Sequence, residues 1–274
     1  MISNFINLLI SIIRVIIMCR GDFMYIDTHC HLSINDYDNI DTVINDNHLA
    51  GIEKIVISGC TKDDINESLD YGFKYSDVYV TIGYHPSEAM TTSEKELSEL
   101  KKQILNNKVV GIGEIGLDYH YGKDDINEQK KLFRDQLEIA RDNNLPVVIH
   151  SRDATFDTIQ ILKEFPTVFG VIHCFNGSLE TAKEYISMGF KLGIGGVVTF
   201  KNSKLYKVIE KIGLDSIVFE TDSPYLTPEP FRGKKNSSKY IPYISHKVAE
   251  ILNISEYEVS SKVLSNTYEV FDLD

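Results

Sequence analysis

From Met24 onward, short runs of β-branched and apolar residues alternate with longer stretches whose apolar and charged positions follow a helical period. The short runs are Tyr25–His29, Lys54–Ser58, Tyr79–Tyr84, Val109–Glu114, Pro146–His150, Phe169–His173, Phe190–Ile194 and Ile217–Asp222. Each is too short for a helix and apolar on both faces, the pattern of parallel strands buried between layers. The longer stretches predict helices over Asn39–Ala50, Lys62–Tyr75, Glu94–Leu105, Asn127–Asp142, Thr155–Lys163, Leu179–Met188 and Ser203–Ile212. In the clearest, Asn127–Asp142, the residues Leu132, Phe133, Leu137 and Ile139–Ala140 form one apolar face. Ser245–Ile251 and Ser255–Phe271 read as closing helices.

Eight strands, each followed by helical sequence in about 250 residues, are the arithmetic of a single α/β domain, a (β/α)8 TIM barrel. A doubly wound open sheet would need a Gly-rich phosphate loop after its first strand. Here that strand runs instead into His29-Cys30-His31. No internal repeat, Ser/Gly-rich linker or long charge run marks a second domain, so 24–274 reads as one barrel. Residues 1–23 are set apart as an apolar extension. Their run from Phe5 to Met18 is broken by Asn7, Ser11 and Arg14 and falls short of the roughly 20 residues of a membrane span. Without a basic start or a small-residue cleavage site it does not resemble a signal peptide. The readings left are an upstream extension of the frame, with Met24 able to start the folded protein, and an interfacial anchor.

Composition narrows the class. The 274 residues are 43% hydrophobic and 25% charged, which excludes collagen-like, low-complexity and disordered chains. Forty Asp and Glu against 28 Lys and Arg leave a formal net charge of −12, which excludes a general coat for polyanions. A nucleic-acid substrate held locally by cations stays open. Cys19, Cys30, Cys60 and Cys174 show no paired spacing and read as reduced thiols of a cytoplasmic protein.

Five of the eight histidines, His29, His31, His85, His150 and His173, stand at or just past the ends of predicted strands. Glu114 and Asp222 occupy the same place on strands four and eight. In a parallel barrel those ends open onto one face, where active sites are built. Residues i and i+2 of a strand share a face, so His29 and His31 can reach one cation while Cys30 turns toward the helices. Ligands spread over strands one, four, five, six and eight fit two cations close together, bridged by a shared group, the arrangement that stabilises attacking and leaving oxygens in a displacement. Strand four has no lysine, which leaves Glu114 as its bridging candidate. Gly111, Gly113 and Gly116 beside it read either as room for ligands or as tight barrel packing.

The segments Asp27-Thr28-His29-Cys30-His31-Leu32, Gly83-Tyr84-His85-Pro86, Gly111–Tyr119, Leu145–Ala154, His173-Cys174-Phe175-Asn176-Gly177 and Glu220–Leu226 resemble the TatD family of metal-dependent deoxyribonucleases. The likeness runs from about Met24 to the C-terminus and leaves no ligand position substituted. It implies a divalent-metal phosphodiesterase acting on DNA, in some members from the 3′ end. His29, His31 and Asp222 would hold one cation, His150 and His173 the other, with Glu114 bridging and Asp222 serving also as general base. His85 is assigned to the phosphate or the leaving oxygen. Arg152 reads as a phosphate contact or a partner of Asp153 or another barrel acid. Arg232, Lys234, Lys235 and Lys239 read either as a border of the cleft that holds a nucleic-acid backbone or as a solvated loop. Tyr84, Tyr119, Phe175 and Tyr225 are candidates for base stacking or for packing. Four imidazoles suit Zn²⁺ or Mn²⁺ better than Mg²⁺, while the resemblance points to enzymes assayed with Mg²⁺; Co²⁺ is a further candidate. No obligate protein partner is expected. A second reading keeps the cations and changes the bond to an ester, as in D-aminoacyl-tRNA deacylation, or to an amide.

Overall fold

The computed structural model describes residues 23–122 and 124–273, so the reading of 1–23 as an extension lies outside the described residues except for Phe23. Eight parallel strands form one sheet in the order β1 to β8: Tyr25–Cys30, Ile52–Gly59, Val78–Ile82, Val109–Asp118, Val147–Arg152, Gly170–Ile172, Phe190–Ile194 and Ile217–Phe219. Helices α1 to α7 (Ile40–Leu49, Lys62–Lys74, Glu94–Gln103, Ile126–Asn143, Thr155–Glu164, Leu179–Ser187 and Leu205–Ile212) follow the first seven strands. Helices α8 (Ile241–Leu252) and α9 (Glu256–Val270) complete the shell. This is the TIM barrel that the alternation predicts. Among the described residues no helix is long and apolar enough to cross a membrane.

Local chemistry fixes the helix ends. Ser93 with Glu96 and Ser255 with Glu258 form capping boxes at the starts of α3 and α9, satisfying backbone N–H groups that the first turn leaves free. Asn144 and Asn253, both left-handed, end α4 and α8.

The strands bury two cores. Between barrel and helices lies a large layer that includes Ile57, Ile82, Leu117, Phe133, Leu137 and Phe219. Inside the barrel, Ile26, Val56, Tyr79, Val110, Val148, Val171 and Val218 fill the lower half, and Val270, Phe271 and Leu273 plug its floor. Two residues further along, the inward positions turn polar: Ser58, Thr81, His150, His173 and Glu220 follow Val56, Tyr79, Val148, Val171 and Val218. The period of two therefore lifts each strand from apolar floor to polar mouth.

Strand β1 departs from that period. A register irregularity lies between Asp27 and Cys30, and it brings His29, three residues after the inward Ile26, to the mouth. Strand β8 ends at Phe219 rather than at Asp222. Beyond it, Thr221 N–H and Asp222 N–H both donate to the His29 carbonyl, at 3.4 and 3.0 Å, and His31 N–H donates to Ser223 O at 2.7 Å. The fully buried Asp27 carboxylate accepts from Thr221 Oγ1 at 2.6 Å and from the backbone N–H groups of Thr221 and His29. Thr28 Oγ1 donates to Phe219 O at 3.0 Å. These bonds join the first strand to the last.

Candidate metal centre

The polar mouth opens into a cavity of ≈ 1050 Å³ lined by His31, Glu114, His150, His173 and Asp222, while His29 is fully buried. His29 Nε2 and His31 Nε2 face each other at 3.3 Å. Glu114 Oε2 stands 3.5 and 3.8 Å from these two nitrogens, and Asp222 Oδ1 stands 3.7 and 3.6 Å from them. Ligand atoms around a tetrahedral cation with bonds of 2.0–2.1 Å lie about 3.4 Å apart. Two imidazoles and two carboxylates thus already stand at the spacing of one metal shell. The other oxygen of Glu114, Oε1, faces a second set, with His150 Nδ1 at 2.6 Å and His173 Nε2 at 3.5 Å. His29, His31 and Glu114 lie within reach of a single ion, as do Glu114, His150 and His173, so Glu114 belongs to both sets; His29, His173 and Asp222 form a third.

The ring nitrogens turned away from the cavity are held as well. Ser58 Oγ meets His29 Nδ1 at 2.9 Å and Ser58 O meets His31 Nδ1 at 3.2 Å. Asp118 Oδ2 lies 3.2 Å from His150 Nε2, and Glu220 Oε1 lies 3.1 Å from His173 Nδ1. Such partners fix the tautomer and aim the free nitrogen. Sequence reasoning named the four histidines but not Ser58, Asp118 or Glu220 in this role. The available signal was the inward period of two, which places Ser58 and Glu220 at the mouth. Cys60 adds a further contact, its Sγ 3.5 Å from Glu114 Oε2. Burial pushes that thiol up to about 11, so it stays a donor to the shared carboxylate.

Electrostatics follow from the crowding. Burial pushes the Glu114 carboxyl up, but His173, His150 and His29 outweigh it and hold it well below the usual range. Burial, reinforced by His173, drives His29 well below the ordinary imidazole value and leaves it neutral, as a ligand must be. His150 and His173 move the other way against burial, to about 9 and about 10, because Asp118 and Glu114 surround the first and Glu220 and Glu114 the second. Without cations, protons on these two rings balance the carboxylates.

His85 follows β3, where Ser87 N–H donates to its Nδ1 at 3.2 Å. Its ring packs edge-on against His150 with centroids 4.6 Å apart. Burial lowers it to about 4. A neutral ring whose Nδ1 accepts carries its proton on Nε2, so His85 is a hydrogen-bond donor.

Residues 26–272 match the family described as TatD related DNase. The chain belongs to that family. It is 40% identical over 255 residues to the uncharacterized metal-dependent hydrolase YabD of Bacillus subtilis, covering 92% of this chain and 100% of YabD. Its fold superimposes on the crystal structure of YjjV, a TatD homolog from Escherichia coli, with a TM-score of 0.85 at 29% identity, covering 93% of this chain and 100% of that one. A TatD-family hydrolase from Entamoeba histolytica aligns with a TM-score of 0.81 at 25% identity, over 92% and 99% of the two chains. The chain is a metal-dependent hydrolase of the TatD family.

Other expectations fare differently in this TatD barrel. Gly111, Gly113 and Gly116 serve packing: a Cβ would strike Pro146 O at Gly111, Val148 at Gly113 and His150 O at Gly116. Arg152 lines the cavity, but Asp153 is taken by His120 and Arg152 donates to the Tyr121 hydroxyl at 3.3 Å. The basic cluster does not line the cavity. Arg232 lies 4.0 Å over the Phe200 ring and donates to Thr227 O, while Lys239 pairs with Asp46. Lys234 and Lys235 sit over Phe231 and Tyr37. Long stems with aromatic neighbours settle on them instead of reaching for the mouth. Tyr84 and Phe175 are buried, and Tyr119 donates to Asp157. Of the four candidate stacking rings, Tyr225 alone is exposed.

Proposed function

We propose that this chain is a two-cation phosphodiesterase that hydrolyses DNA. One observation carries the reading: the two oxygens of Glu114 face different pairs of imidazoles, Oε2 toward His29 and His31 and Oε1 toward His150 and His173. Divalent cations bound there supply the positive charge that neutralises a phosphodiester and makes a water acidic enough to deprotonate near neutral pH. His29, His31 and Asp222 would hold the first cation, His150 and His173 the second, and Glu114 would contribute to both.

The chain's own groups do the rest. Asp222, at the mouth and partly exposed, accepts the proton of the attacking water. His85 donates from Nε2 to a phosphate or leaving-group oxygen, and its neutrality makes it a fixed dipole rather than a proton source. Arg152 reaches the cavity wall as a phosphate contact. Cations held by buried carboxylates also reconcile an anionic substrate with a chain of net charge −12. No described residue of the site singles out a D-aminoacyl ester of tRNA.

The test is incubation of chelator-treated protein with 5′-labelled single-stranded DNA, alone and with Mg²⁺, Mn²⁺, Co²⁺ or Zn²⁺. Shortening of the strand only with a metal supports the reading. Intact DNA with all four, beside a D-aminoacylated tRNA that is deacylated, overturns it.

A further inference from the structure

The cavity is a poor electrostatic trap for a polyanion. Among the described residues, Arg152 is the one Lys or Arg that lines it, while Asp36, Asp64, Glu67, Asp118, Asp153 and Asp222 all face it. A strand of nucleic acid therefore finds few backbone partners beside the metal floor, and the basic loop beyond β8 is turned elsewhere. Beyond the scissile phosphate, which the cations would hold, affinity has to come from another source, and base stacking on aromatic rings is the one that needs no charge.

Two rings offer it. Tyr121, in the loop after β4, is 85% exposed and lines the cavity. It is propped rather than buried, with the Arg152 guanidinium 5.2 Å from its centroid and the His120 ring edge-on at 5.0 Å. Tyr225, in the loop after β8, is 61% exposed and also lines the cavity, 6.3 Å from the His31 ring. In a barrel of strand order β1 to β8, the ends of β4 and β8 lie across the mouth from each other. The metal floor lies between them. Exposed tyrosines in such positions forgo burial of a large apolar face, a cost that a docked base removes.

We propose that Tyr121 and Tyr225 are opposed stacking platforms that grip unpaired bases on either side of the scissile phosphodiester, so that single-stranded DNA is held by its bases more than by its backbone. This rests on the nuclease reading above and adds the residues that would select the substrate.

The experiment measures anisotropy of a labelled phosphorothioate ten-mer with the metal-loaded protein, alongside KM and kcat on the natural strand. Tyr121→Ala and Tyr225→Ala should each raise Kd and KM by about 5- to 100-fold with kcat within about threefold, and Tyr→Trp should restore binding. A 2-aminopurine base beside the cleavage position should lose its stacking quench in the alanine variants. The slope of log K against log salt should stay near about −0.7, the value for a single phosphate contact on single-stranded DNA. Wild-type protein that cleaves DNA while both alanine variants bind unchanged, or a slope of several units, overturns the stacking proposal alone. Wild-type protein that neither binds nor cleaves overturns the nuclease reading and this proposal together. Metal content and circular dichroism of each variant exclude misfolding.

Discussion

Glu220 Oε1 stands 3.1 Å from His173 Nδ1, and the same oxygen accepts the Cys174 N–H at 2.5 Å. A fully buried carboxylate thus fixes the ring that presents Nε2 to the Glu114 set. Glu220→Gln is expected to lower cation affinity at the His150–His173 set by about 10- to 100-fold while sparing the His29–His31 set. Competition with a chromogenic chelator reads the two sites. Equal affinities in variant and wild type would remove Glu220 from this role.

Gly193 makes room for that carboxylate. A Cβ at this position would lie 2.1 Å from Glu220 Oε2. Gly193→Ala is expected to cost about 1–3 kcal/mol, the range for overpacking a filled core, and to weaken the same cation set. Urea unfolding and metal titration together check it. A variant that keeps both stability and affinity shows that the carboxylate can move aside.

Glu114 faces both donor sets with separate oxygens. Glu114→Gln leaves one neutral oxygen where two charged ones stood, so bound metal should fall from two ions per chain to one or none. Hydrolysis should drop by more than about 100-fold, beyond the loss expected for a supporting residue. Elemental analysis after gel filtration gives the ratio, and a retained ratio of two would separate Glu114 from metal binding.

Protons and cations compete for His150 and His173. Both titrate above the ordinary 6.5, at about 9 and about 10. Their contribution to the stability of chelated protein is therefore complete below about pH 6.5 and is lost as pH rises through 9 to 10. Chelated protein should melt at a lower temperature at pH 9.5 than at pH 6.5, by an amount the metal-loaded protein does not share. Cation binding at pH 7 should release protons, read by calorimetry in two buffers of different ionisation heat. Zero release at pH 7 contradicts the pairing of these rings with Asp118, Glu114 and Glu220.

The barrel was legible because each buried strand is a short β-branched run, and His29, His31, Glu114, His150 and His173 fall where those runs stop. The shared face of His29 and His31 was legible too. The irregularity in β1 that turns His29 inward was not, since the groups bonded to that stretch, Thr221 and Asp222, lie nearly two hundred residues away. Asp118 stayed hidden because β4 runs four residues past Glu114, which neither composition nor period announces. Whether Arg232 and Lys234 border the cleft was left open by the sequence because a charge count carries no direction, and aromatic rings beside them decide where the stems lie. Tyr121 went unnoticed for the same reason: exposure is set by the path of the β4–α4 loop.

The join between first and last strands also sets a timetable. Asp27 and Thr221 are 194 positions apart, and Asp222 comes from the far side of that seam. During synthesis, a chain not yet extended to Thr221 has His29 and His31 in hand but no Asp222 beside them and no closed wall behind them. Full capacity to capture the first ion therefore arises only after Asp222 has been made, so that a polypeptide not yet extended that far is expected to be catalytically silent.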